Sequence, residues 1–382
     1  MRVGDRVARN SPLAPDVRRD MELGIYTFGD IHPDPVTGAR VSPAQRLADV
    51  LERIRLAEAV GLDHFGIGEH HRRDYSISAP ATVLAAAAAQ TERIRLGSAV
   101  TVLSTEDPVR VYQQFATIDL LSRGRVELMA GRGSFIESYP LFGAELSDYD
   151  DLYDEKVQLL LQIDDGNPVT WSGRFRPPLQ DAEILPRPYD KPGLGEHLDI
   201  WVATGGNPES SIRAGLLGLP VNYAIIGGQP ARFAPLVDLY RRAAEQSNRP
   251  RPRTGVAVST MGFVADRGAA DFWFPYWLES LRTIARERGF TPPDRRSFDA
   301  QAAPGGAYFV GNPEQVAERI VALHRVLGHQ RQIFQTDLSS VPQRESLRTI
   351  ELLGTEVAPL VRRELGTDAA PALDTPAEVS GG

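Results

Sequence analysis

The chain has 382 residues, 42% apolar and 24% charged, with a formal net charge of −8 and no cysteine. Disulfides, thiolate nucleophiles and cysteine-ligated metals are therefore excluded. The acidic balance argues against nucleic acid or an anionic membrane as a general partner, and no run approaches the roughly 18–20 apolar residues of a membrane span. The polar, arginine-rich residues 1–20 lack the apolar core of a secretion signal and read as a disordered leader, so a cytoplasmic location is expected.

The rest of the chain alternates apolar strand-like runs with helical patterns. Strand one is read at Met21–Phe28, and its helix opens at Ser42–Pro43–Ala44–Gln45, a capping-box pattern. Leu47, Val50, Leu51, Ile54 and Ala57 repeat at helical spacing until Gly61 ends the helix. Strand two is read at His64–His70, followed by an alanine-rich helix at Ala79–Gln90. Strand three is Ile94–Leu103, and Asp107–Pro108 caps the helix after it. Strand four is Arg125–Gly131, with a helix at Leu152–Ile163.

Residues 166–196, rich in Pro and Gly, read as a surface excursion. Strand five is Leu198–Thr204, with a helix from Pro208 to Leu217. Strand six is Pro220–Ile226, with a helix at Arg232–Gln246. Strand seven is Thr254–Val264, and a second excursion, residues 269–306, holds an extra helix before the helix Pro313–Leu327. Strand eight is Arg331–Leu338, and the last helix is Gln343–Leu365. Residues 366–382 read as a disordered tail.

Eight strand–helix pairs predict an α/β fold, a (β/α)8 TIM barrel with insertions after strands four and seven, as one domain over residues 21–365. A doubly wound open sheet is the runner-up, but Gly24 and Gly29 lack the dinucleotide-binding glycine spacing. In a barrel, function gathers at the C-terminal strand ends.

Four groups of residues stand out there. Glu69–His70–His71 closes strand two; neighbouring residues on a strand face opposite ways, which disfavours a three-ligand metal site and leaves an acid–base imidazole or a structural histidine pair. Gly131–Arg132–Gly133–Ser134 closes strand four and suits either an anion contact or a plain turn. Thr204–Gly205–Gly206–Asn207–Pro208–Glu209–Ser210 opens a helix whose free N–H groups suit an anion, or forms a glycine turn. Gly97–Ser98–Ala99–Val100–Thr101, inside strand three, either leaves room for a flat ring or packs ordinarily. Asp119 and Arg123–Gly124–Arg125 read as a structural turn at the other end.

Together these stretches resemble a known family. GLDHFGIGEHH (Gly61–His71), the segment Ile94–Phe135, DIWVATGGNPESSIRAGLLGLP (Asp199–Pro220) and YFVGNPEQVAERI (Tyr308–Ile320) are similar, in this order, to luciferase-like flavin monooxygenases.

The resemblance implies reduced FMN from a separate reductase, and oxidation of a small organic substrate by O2 through a flavin hydroperoxide. It implies that His70 is the catalytic base or proton relay, that Glu69 borders the flavin, and that Ala99–Val100 form a non-proline cis peptide behind the ring. Arg132, Ser134, Gly205, Gly206 and Ser210 become phosphate contacts. Homodimers are common in the family, no metal is implied, and both excursions become candidates for covering the open end. A coenzyme F420-dependent hydride-transfer enzyme and a non-catalytic flavin-binding protein are the alternatives.

Overall fold

A computed structural model describes residues 21–133, 135–249 and 252–366. The expected leader, nearly all of the expected tail, and Ser134 lie outside the described residues.

The barrel strands are β1 (Glu22–Thr27), β2 (His64–Ile67), β3 (Arg95–Ser98), β4 (Val126–Gly131), β5 (Asp199–Thr204), β6 (Val221–Ile225), β7 (Val256–Val264) and β8 (Arg331–Gln335). Each pairs in parallel with the next, and β8 pairs with β1 through Glu22↔Arg331 to Tyr26↔Gln335, which closes the ring. The fold is a closed eight-stranded (β/α)8 barrel, as expected.

Sequence patterning explains why the ring has two apolar clusters. Alternate residues of a strand face opposite ways. Leu23 and Ile25 of β1 join Phe65, Leu96 and Leu128 in the large cluster. Tyr26, Ala99, Met129, Trp201, Ala257 and Ile333 form a second, smaller cluster. Next to it the Arg331 guanidinium lies 4.4 Å from the Trp201 ring centroid. Arg331 also donates to both oxygens of Glu127, at 2.5 and 2.8 Å, and to Glu22 at 2.7 Å. Glu22 and Arg331 start their strands, so this buried ion network marks the end opposite the strand termini.

Several local readings change. Strand three breaks after Ser98 and resumes only at Thr101–Val102, and the peptide between the two pieces, Ala99–Val100, is cis. Strand two ends at Ile67, short of His70. The capping box at Ser42 is half formed. Ser42 accepts from the Gln45 N–H, but the Gln45 side chain donates its amide to Asp49 at 2.8 Å, a charge-assisted bond one helical turn on, and does not reach back to accept from the Ser42 N–H. The full reciprocal box belongs to Asn312 and Gln315. A further strand, Tyr308–Gly311, absent from the sequence reading, pairs in parallel with the far half of β7. The last helix passes through a π turn at Leu353–Val357.

The two excursions behave differently. The first forms an antiparallel hairpin, Val169–Trp171 with Leu179–Ala182. Arg187 donates to the Ile163 carbonyl and the Tyr189 N–H to Asp119. Further along, Arg176 donates to Asp107 and Arg174 to Asp148. These contacts run along the helices Pro108–Ser122 and Tyr149–Asp165, so this excursion wraps the outside of the barrel. Its chain leaves from the opposite end, after a helix, and at Arg174 and Arg176 it reaches the N-caps Asp148 and Asp107, at the rim of the open end.

The second excursion does sit at the strand ends. Its helices Ala269–Arg288 and Arg295–Ala302 reach loops that follow three strands. Trp273 donates to the Thr336 carbonyl, Tyr276 to Asp34, and the Gly228 N–H to Gln301. Trp273 and Trp277 are buried and pack on Phe298, with ring centroids 6.2 and 5.0 Å away. These two aromatics hold the extra helices down.

Candidate active site

The mouth is built from segments that leave β1 to β5. The Ala99–Val100 peptide is framed by glycines. A Cβ on Gly66 would lie 2.9 Å from the Ala99 Cβ, and one on Gly131 would lie 2.6 Å from Val100. Only hydrogen at those positions lets the three strands close around this peptide. Gly97 does not leave room for a ring, because a Cβ there would meet His64 Nε2 at 2.5 Å. Ordinary packing fills that site, and burial holds the His64 imidazole down to about 4, so it is neutral.

Glu69 is 5% exposed, and its Oε1 accepts from the Val102 N–H at 2.8 Å. Burial pushes its carboxyl up to about 8, with nearby Glu106 adding to the rise, against the pull of that N–H. At neutral pH it is mostly protonated and can donate a hydrogen bond.

His70 sits in an aromatic box. Its ring lies 4.4 Å from Phe28, 4.3 Å from Phe135 and 4.5 Å from Tyr75, centroid to centroid. Nδ1 is 3.6 Å from Glu137 Oε1. Burial pushes the imidazole below its ordinary value, while Glu137 pulls it up. His71, by contrast, is half-buried and packs on Phe142. The two histidines do not form one bonded pair.

Arg132 leaves β4 and reaches the fifth unit. Its Nη2 donates to Ser210 Oγ at 3.0 Å, its Nη1 pairs with Asp150, and its guanidinium lies 5.1 Å from the Tyr149 ring centroid. Tyr139 and Tyr149 hydroxyls donate to the Arg132 and Gly133 carbonyls at 3.1 and 2.8 Å, fixing this turn. Ser210 lies in the first turn of the helix Pro208–Leu216, which Asn207 caps by accepting from the Ser210 N–H. Gly205 is exposed with open space around its Cβ position, and Gly206 takes φ +101°, a conformation that favours glycine.

The structure thus brings Arg132 to Ser210, with Gly205 and Gly206 just ahead of that helix. It places His70, Glu69 and Ala99–Val100 at the same end of the barrel. The strand-end reading reaches Phe28 at the end of strand one, but it missed Glu137, Tyr75 and Phe135 around His70, and Asp150 on Arg132. None of these carries a local motif: Phe135 and Glu137 come from the segment after β4, Tyr75 from His70's own loop, and Asp150 from the first turn of the helix Tyr149–Asp165. At the opposite end Asp164, Asp165 and His197 come within 4.8 Å of one another. Arg249 already pairs with both aspartates there.

The donor set fits a flat cofactor with an anionic tail. An arginine, a serine hydroxyl and a helix N-terminus suit a phosphate, and a protonated carboxyl beside a cis peptide suits the polar edge of a ring.

Comparison with known proteins gives the family and repeats the fold. The family described as luciferase-like monooxygenase matches residues 21–330. A luciferase-like monooxygenase of Escherichia coli K12 is 28% identical over 295 residues, covering 75% of this chain and 80% of its own. Among solved structures, a monooxygenase from Streptomyces bottropensis superposes with a TM-score of 0.76 at 25% identity, over 89% of this chain and 99% of its own. The FMN-bound oxygenating constituent of 3,6-diketocamphane monooxygenase from Pseudomonas putida shares the fold, with a TM-score of 0.68 at 21% identity, over 89% and 98%. Among the described residues no helix is long and apolar enough to cross a membrane. The chain is an oxidoreductase of the luciferase-like monooxygenase family.

Proposed function

We propose that this protein oxidises a small organic substrate with O2 and reduced FMN, the flavin arriving from a separate reductase. The observation that carries the reading is the Arg132–Ser210 contact at a helix N-terminus, at the same end of the barrel as His70. Reduced FMN supplies the electrons that activate O2.

Arg132 and Ser210 hold the phosphate, with Gly205 lending its backbone N–H and Gly206, whose N–H donates to Thr204 at 3.3 Å, shaping the turn beside it. Ser134 joins them by its place in the sequence pattern. Ala99–Val100 back the ring, and Glu69 donates a hydrogen bond at its edge. His70, neutral within its aromatic box, takes up and returns a proton. Phe28, Phe135 and Tyr75 keep water from that proton, which a reactive oxidant needs in order to last. A homodimer belongs to the same reading.

Titration with FMN, FAD and F420, each oxidised and reduced, tests it, followed by oxygen uptake. Reduced FMN is expected to bind most tightly and to support oxygen uptake. Turnover with reduced F420 and no oxygen uptake would replace the reading with hydride transfer. FMN binding with no turnover on any substrate tried would favour a carrier protein.

A further inference from the structure

We infer that Glu137 orients His70, holding the imidazole proton on Nδ1 and leaving Nε2 as the ring's acceptor. The inference rests on the reading of His70 given above. The box around His70 fixes the plane of the ring: Phe28 and Phe135 offer only ring carbons and Tyr75 packs by its ring, while the charged acceptor at the imidazole is Glu137. A histidine's proton goes to the nitrogen that faces an acceptor. Glu137 is that acceptor, with Oε1 3.6 Å from Nδ1. The separation is just beyond hydrogen-bond length, and catalytic contacts of this kind tighten when ligand fills the site.

The groups facing His70 are Phe28 from the segment after β1, His71, Arg72 and Tyr75 from its own loop, and Phe135 and Glu137 from the segment after β4. Arg72 and His71 oppose a positive charge on His70, and Glu137 favours it. Burial works against the Glu137 carboxylate, but His70 and Arg72 beside it keep it below its ordinary value, so it is ionised at neutral pH. Phe135 and Glu137 come within five residues of Arg132 in the chain, and the Tyr139 hydroxyl ties that segment back to the Arg132 carbonyl. One stretch of chain therefore supplies both the anion contact and the partner of His70. Glu137 is a positioning residue: it acts through His70 and need not touch substrate.

The test is histidine NMR on the protein without flavin, with His70→Asn assigning the signal. In the parent protein, nitrogen shifts are expected to show the proton on Nδ1. In Glu137→Gln the His70 pKa is expected to fall by about one unit. Glu137→Asp should keep most of the parent pKa, and Glu137→Ala should repeat the fall. The remaining histidine signals check that each variant keeps its fold. An unchanged pKa and tautomer in both Glu137→Gln and Glu137→Ala overturns the inference. The functional reading fails separately: if His70→Ala leaves oxygen uptake by the FMN-loaded enzyme intact, His70 is not the proton-handling group, whatever Glu137 does to it.

Discussion

The two ends of the barrel treat an arginine in opposite ways. Arg331, in the network opposite the mouth, is 1% exposed and gives three hydrogen bonds to the carboxylates of Glu127 and Glu22. Arg132, at the mouth, is 22% exposed on its side chain and holds one carboxylate and one hydroxyl. The buried acids differ in the same sense. Burial opposes Glu127's charge, but Arg331 and Arg95 press its carboxyl far below the ordinary range. Glu69 has no such cation and is pushed up. A charge network whose members already satisfy one another can only stabilise. One with spare bonding capacity is able to take a ligand.

The sharpest test of this contrast is to remove each arginine. Arg331→Ala takes from buried Glu127 the cation that meets both its oxygens, leaving Arg95 at 3.4 Å, and is expected to cost about 3–5 kcal/mol in urea unfolding. A loss below about 1 kcal/mol would break the comparison. Arg132→Ala is expected to leave the urea midpoint nearly unchanged while weakening FMN binding by about 10- to 100-fold. A large loss of stability with intact FMN affinity would reverse the roles of the two ends.

The acids give a smaller effect of opposite sign. The folded state holds a proton on Glu69 between its ordinary value of 4.5 and about 8. Its contribution to stability is therefore full below that window and is lost as pH rises through it. Glu127 is depressed, so its contribution is present above the ordinary carboxylate value and is lost on acidification. Glu69→Gln should flatten the decline between pH 4.5 and 8 and leave the acid limb, while Glu127→Gln should lower stability at neutral pH and flatten the acid limb. Urea midpoints across pH check both, and identical profiles for parent and Glu69→Gln would show that Glu69 titrates normally.

What the sequence made legible is local or patterned. Asp107 and Asn207 cap helices where the spacing predicts, Arg123 and Gly124 turn with positive φ, and the strand periodicity gives the barrel. Three things were hidden. Gln45 turned from its capping partner because Asp49 lay within reach. The first excursion reads as a possible cover by composition, yet its position after a helix and not after a strand sends it along the outer wall. Glu137 met His70 because two loops converge, and no spacing within one loop encodes that meeting. Composition identifies an excursion, but connectivity decides which end of a barrel it leaves from.

The smallest effect concerns Asp150, which is exposed and pairs with the Arg132 guanidinium. A phosphate at Arg132 brings negative charge to the same donors, so the carboxylate must yield or share. Asp150 also starts the helix Tyr149–Asp165, where a negative side chain is favoured by the helix dipole, worth about 0.3–1 kcal/mol. Asp150→Asn should therefore lower the urea midpoint slightly and strengthen FMN binding by roughly two- to five-fold, the scale of an exposed ion pair. The gain should shrink as salt is raised, because the competing carboxylate is screened. Weaker FMN binding in this variant would mean that Asp150 aims Arg132 at the phosphate. The mouth would then resemble the opposite end, an arginine fixed in advance by its own carboxylate.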